Sequence, residues 1–160
     1  MLYNPEDGLM APHYVEAIKM AAPTLSVETV ALPVRNTFEI VRAVDKFAAE
    51  PNGGLIVVLN PSADELDAIL QLTLQYRLPA IYQGHSVPAL GGLMSYGADA
   101  TDFYRLAASY VDRLLRGAKV NELPLQFATK LRLVLNPKAA EGIGLTIPEP
   151  ILLRADEVIQ

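Results

Sequence analysis

Short runs of leucine and β-branched residues alternate along the chain with longer stretches whose apolar positions recur every three or four residues. The short runs suit strands and the long ones amphipathic helices, and their alternation marks β-α-β units built on a parallel sheet. Leu2-Tyr3 reads as a first strand, followed by the loop Asn4 to Gly8 and a helix with Pro12 in its first turn and Val15 and Ile18 inward. Leu25 to Val30 reads as a second strand. Asn36, with Glu39 three residues on, caps a helix that turns Ile40, Val41, Val44, Phe47 and Ala48 inward. After the turn Pro51-Asn52-Gly53-Gly54, Leu55 to Leu59 is uninterrupted by polar residues, as expected of a central strand covered on both faces.

Ser62 and Glu65 have the spacing of a capping box, and the helix they open runs to about Tyr76 with Leu66, Ile69, Leu70 and Thr73 buried. Leu78 to Tyr82 reads as the next strand, and Gln83 to Gly97 as a loop that becomes glycine-rich at Gly91-Gly92. Asp99 or Thr101 caps a strongly amphipathic helix with Phe103, Ala107, Tyr110, Val111 and Leu114 inward, closed by Gly117. Thr129 to Leu135 reads as a strand with Leu131, Leu133 and Leu135 on one face. A short helix from Pro137 to Glu141 and a last helical segment from Ile151 to Val158 complete the reading. No repeat or linker divides residues 1–160, so one α/β domain is expected.

Composition narrows the function. Hydrophobic residues are 51% of the 160 and charged residues 19%, a globular balance. The net charge of -5 argues against a nucleic-acid partner, since such surfaces cluster Lys and Arg to neutralise phosphate. There is no cysteine, which removes thiolate catalysis and thiolate metal sites, and His13 and His85 stand too far apart in sequence to suggest a metal pair. No apolar run is long enough to span a membrane. The first eight residues lack the basic and apolar regions of an export signal, so the sequence as written is expected in the cytoplasm.

In an open parallel sheet, ligands sit beyond the carboxyl ends of the strands, where helix N-termini converge. The loops there carry Tyr3, Asn4, Asn60, Ser62, Tyr82, Gln83, Ser95, Tyr96 and Asp99, a hydrogen-bonding set suited to a small polar ligand. Turn and capping chemistry accounts equally well for Asn60 and Ser62, and Asp99 reads as a helix cap first and a ligand contact second. Catalysis has little to stand on: Gly142-Ile143-Gly144 lacks the third small residue of a dinucleotide loop, no Walker-type phosphate loop occurs, and Ser86 sits in no nucleophile elbow. No enzyme and no cofactor are expected.

Several blocks in order, from Tyr76-Arg77-Leu78-Pro79-Ala80-Ile81-Tyr82 through Gly91 to Asp99, Tyr104 to Lys119, Leu123 to Gln126, Thr129 to Asn136, Ala140 to Pro148 and Leu152 to Ile159, resemble the substrate-binding proteins of ABC transporters that include tryptophan and tyrosine binders. The resemblance is close over about the last 85 residues and looser before. It implies the carboxyl-terminal lobe of a type 1 periplasmic binding protein: a three-layer, Rossmann-like (flavodoxin-like) lobe, one of two that close on a solute, with the amino-terminal lobe and the signal peptide absent. It further implies a small polar metabolite such as an amino acid as ligand, an ABC permease as partner and an extracytoplasmic location. Asn4, Asn60, Tyr82, Tyr96 and Asp99 fall at matching cleft-side positions, and Ser62 joins them from the loop reading. A lone lobe is expected to hold its ligand weakly and to cover its open face with a second copy in a two-fold homodimer. The alternative is a cytosolic ligand-sensing module without a transport role.

Overall fold

The computed structural model describes residues 1–7, 10–126 and 130–159. A single seven-stranded sheet runs through it in the order β2-β1-β3-β4-β5-β6-β7. Strands β1 (Leu2–Tyr3), β2 (Leu32–Pro33), β3 (Leu55–Val58), β4 (Ala80–Tyr82) and β5 (Met94–Ala98) are mutually parallel. Strand β6 (Leu131–Leu135) runs antiparallel to β5, and β7 (Glu157–Val158) runs parallel to β6. The expected α/β class with a mostly parallel, flavodoxin-like sheet is what the chain forms.

Helices α1 (Met10–Ala21), α2 (Thr37–Ala48) and α3 (Ala63–Gln75) connect the first four strands. The chain steps from β1 outward to β2 and then crosses back past β1 to β3 and β4. Right-handed crossovers therefore place α2 and α3 on one face and α1 on the other. On the α2–α3 face lies the core: Leu2, Val34, Ile40, Val44, Leu55, Val57, Ile69, Leu72 and Ala80 are all buried together. Each such aliphatic side chain withdrawn from water stabilises the fold by about 1.5–3 kcal/mol. The opposite face is less covered, and Ile56 on β3 remains 38% exposed. Val41 of α2, expected inward, is also on the solvent side.

Four stretches besides the longest helix differ from what the pattern predicts. Leu25 to Val30 is no strand: Pro23 starts a tight 3-10 turn over Ala22–Leu25, Ser26 adopts a left-handed conformation, and Leu25 is left 70% exposed. The strand comes later, where Leu32 pairs with Leu2 and Val34 is buried. Met94 to Ala98, within the glycine-rich loop, is β5. Its approach requires glycine, because a Cβ on Gly92 would meet Val87 Cγ1 at 2.8 Å and one on Gly97 would meet the Gln83 carbonyl oxygen at 2.9 Å. Strand β6 lies between two neighbours, so Val134 and Leu135 are both buried and the expected one-sided alternation fails; Thr129 lies outside the described residues. The terminal helix ends at Leu152, and Glu157–Val158 pairs with β6 as β7.

The longest helix, α4 (Ala100–Leu115), departs most. Phe103, Ala107, Val111 and Leu114 were expected inward, yet none of its 16 residues is buried. It leaves the sheet after β5 and the chain returns at β6, where the Asp99 amide donates to the Lys130 carbonyl at 2.9 Å.

Candidate functional site

Strand order reverses between β1 and β3, and an open cavity of about 670 Å³ lies beyond the carboxyl ends of the strands beside this point. Its walls come from the segments that follow three neighbouring strands. After β1, Asp7 and then Ala11 and Tyr14 of α1 contribute; after β3, Leu59, Asn60 and Pro61; after β4, Gln83, Gly84, Ser86 and Val87. The ends of β3 and Leu66 of α3 close the apolar side. A larger groove of about 1430 Å³ runs along α2, from Arg35 and Glu39 to Phe47 and Gly54, with Leu25 to Pro33 on its other side. It lies beside the edge strand and away from the point where strand order reverses, so topology favours the smaller cavity.

The loops are shaped by their own hydrogen bonds. Asn4 Oδ1 accepts the Glu6 amide at 2.9 Å and the Asn4 carbonyl accepts the Asp7 amide, so Asn4 folds the turn that presents Asp7. Ser62 and Glu65 form the full capping box: the Glu65 amide donates to Ser62 Oγ, and the Ser62 amide donates to Glu65 Oε2 at 2.8 Å. The start of α3 thus already carries the chain's own carboxylate, which disfavours a ligand anion there. His85 Nε2 donates to the Ala98 carbonyl at 2.8 Å, since a carbonyl can only accept, and so straps the loop after β4 to the end of β5.

Of the six residues singled out from the sequence, Asn60 and Tyr82 line this cavity. Tyr82 is only 3% exposed and its hydroxyl is sealed from solvent with no hydrogen-bond partner, so it offers wall and not a donor. Burial pushes its phenol pKa up. Asn4 and Ser62 stand behind the cavity as turn and cap. Tyr96, on β5, is exposed and does not line the cavity.

Asp99 caps α4 by accepting the Thr101 amide at 2.9 Å and pairs with Lys130 Nζ at 3.3 Å. Burial works against its ionisation, but Lys130 and the amides of Thr101 and Asp102 outweigh that and hold the carboxyl below the usual range. The loop pattern does not mark Asp7, Tyr14 or Ser86, and among the described residues Asp7 is the only charged side chain lining the cavity. The Asn4-to-Asp7 turn, with its leading asparagine, is the one local signal that marked it.

Among the described residues no group of three His, Asp or Glu side chains is placed to hold a metal ion, and no helix is long and apolar enough to cross a membrane. The fold is an α/β lobe with a cavity beside the point where strand order reverses. Residues 1–159 match the family described as ABC transporter substrate binding protein, and the chain belongs to that family, a solute-binding class.

Solved structures agree on the fold. A conserved domain protein from Vibrio cholerae O1 biovar El Tor is 26% identical with a TM-score of 0.84, over 99% of this chain and 53% of that one. An ABC domain from Streptococcus pneumoniae in complex with L-Trp is 23% identical with a TM-score of 0.83, over 99% and 55%. A ligand-free, open substrate binding protein with adhesive properties from Clostridium difficile is 14% identical with a TM-score of 0.72, over 99% and 53%. The chain thus spans about half the length of these structures. No curated protein matches it.

Proposed function

We propose that the chain takes part in reversible capture of a small solute bearing an ammonium group, an amino acid being the leading class, for delivery to an ABC permease on the extracytoplasmic side. The observation that carries this is the cavity at the sheet's reversal point, with one carboxylate, Asp7, among amide, hydroxyl and apolar side chains. The capping of α3 by Glu65 supports the same polarity, because it leaves that helix start unsuited to a ligand carboxylate. The L-Trp complex of the streptococcal relative is consistent with an amino acid.

The chain acts as one lobe, the carboxyl-terminal one by sequence resemblance, and binds without chemistry on the ligand. Asn60 and Gln83 orient the solute by hydrogen bonds, and the Tyr82 ring supplies wall. Because one lobe leaves a ligand open on one side, the expected dissociation constant is weak, on the order of 0.1–1 mM.

Calorimetry with the twenty amino acids and their N-acetyl derivatives tests the reading. A free amino acid should bind, its N-acetyl form should not, and Asp7→Asn should weaken binding about tenfold or more. Absence of binding to every free amino acid at 10 mM ligand, roughly tenfold above the weakest constant expected, or an Asp7→Asn variant that binds as wild type, would overturn it.

A further inference from the structure

The segment after β4 lines the cavity through Gln83, Gly84, Ser86 and Val87, while His85 in their midst does not. The Val87 amide donates to the Gly84 carbonyl at 3.1 Å, so His85 and Ser86 are the two central residues of a tight turn. Tyr82 in the sheet anchors one side of that turn and the buried Val87 side chain the other. The register between β4 and β5 stops at Tyr82 and Ser95. Beyond it, His85 Nε2 meets the Ala98 carbonyl at 2.8 Å. Among the described residues this is the only side-chain hydrogen bond that ties residues 83–86 to another part of the chain.

Two further features belong to the same contact. Gly97 stands opposite the loop, and a Cβ there would come within 2.9 Å of the Gln83 carbonyl oxygen and 3.8 Å of His85 Cε1. The bare backbone at Gly97 therefore lets the loop lie down on β5. His85 Nδ1 is sealed from solvent and has no partner, so a hydrogen on it would be a buried donor without an acceptor. The ring is thereby held as the tautomer with its hydrogen on Nε2, the one that donates to Ala98. We propose that His85 is a positioning residue of the solute cavity: its Nε2–H clasps the turn to β5 and sets where the Gln83 and Ser86 side chains meet a solute. This role rests on reading the cavity as the capture site. A loop already fixed leaves less ordering to be done when a solute arrives, so His85 strengthens binding without touching the solute itself.

Calorimetry with a free amino acid and amide hydrogen exchange on the unliganded chain test this together. His85→Leu keeps bulk but loses the donor, and should weaken capture about fivefold, the worth of one hydrogen bond. His85→Gln carries an amide N–H at a similar reach and should bind within about twofold of wild type. Gly97→Ala displaces the Gln83 carbonyl and should weaken capture at least as much as His85→Leu. Without ligand, the Val87 amide should exchange about fivefold faster in His85→Leu and at the wild-type rate in His85→Gln, while the Ile69 amide in the core stays unchanged. A His85→Leu protein with wild-type affinity overturns the positioning role, and one with unchanged Val87 exchange overturns the clasp itself. A His85→Gln protein as impaired as His85→Leu also overturns it, because the shape of the ring and not its N–H would then be what counts. If no free amino acid binds the wild type, the capture reading falls, and Val87 exchange alone then decides whether the clasp stands.

Discussion

Helices α2 and α4 are both clearly amphipathic and both capped at the amino end by a side-chain oxygen, of Asn36 and of Asp99, yet they meet opposite fates. Asn36 Oδ1 accepts the Glu39 amide at 3.0 Å to start α2, which lays Ile40 and Val44 into the core against β1 and β3. Asp99 starts α4 in the same way, but the helix then runs clear of the sheet with no residue buried. The difference teaches that an apolar stripe announces a need for a partner without saying which part of which chain supplies it. In α2 the following loop is short and the next strand pairs in the middle of the sheet, so the helix is forced down onto it. In α4 the chain is held only by the β5 and β6 ribbon at its two ends.

The contrast can be broken by substitution, and the largest effect belongs in α2. Ile40→Ala should cost about 2–5 kcal/mol in urea unfolding, because it opens a cavity in a fully packed site. Next, Asn36→Ala should cost about 1 kcal/mol by removing the side-chain acceptor for the Glu39 amide. Smaller still, Asp99→Asn keeps an acceptor for Thr101 and removes only the charge facing Lys130.

The pH dependence of that third effect has a fixed sign. A carboxyl held below its usual range stabilises the fold above that range, near pH 4, and loses the contribution as pH falls through its folded value. The gap in melting temperature between wild type and Asp99→Asn should therefore be present at pH 7 and close toward pH 3; a gap unchanged at pH 3 rules out the ion pair as its source. The smallest effect is Val111→Glu on the exposed side of α4, which should shift stability by less than about 0.5 kcal/mol. A loss comparable to Ile40→Ala would mean that α4 packs on its own lobe after all.

The same distinction separates what was legible in the sequence from what was not. The cap at Asn36 and the capping box at Ser62 depend on contacts three residues apart, and both are present as read. Strand β3 was legible because Leu55 to Leu59 is continuous and flanked by turn residues. Leu25 to Val30 misled because its apolar residues suit a strand while Pro23 and the left-handed Ser26 turn the backbone away. Strand β5 was hidden by glycines whose purpose is the close approach of Tyr82, Val87 and Gln83, residues of the preceding strand and loop. Asn60 was readable as the residue ending β3, and Asp7 was not, since its place in the cavity depends on β1 and β3 lying side by side.

The sequence by itself determined the alternation of strands and helices, the helix starts, and membership in a family of solute-binding lobes, because each rests on short-range geometry or on ordered blocks of residues. Only the tertiary structure decided that the strand order reverses between β1 and β3, that Asp7 and Asn60 share a cavity there, and that α4 stands apart with its apolar face open. Those facts depend on which distant strands pair, and a periodic pattern carries no information about pairing.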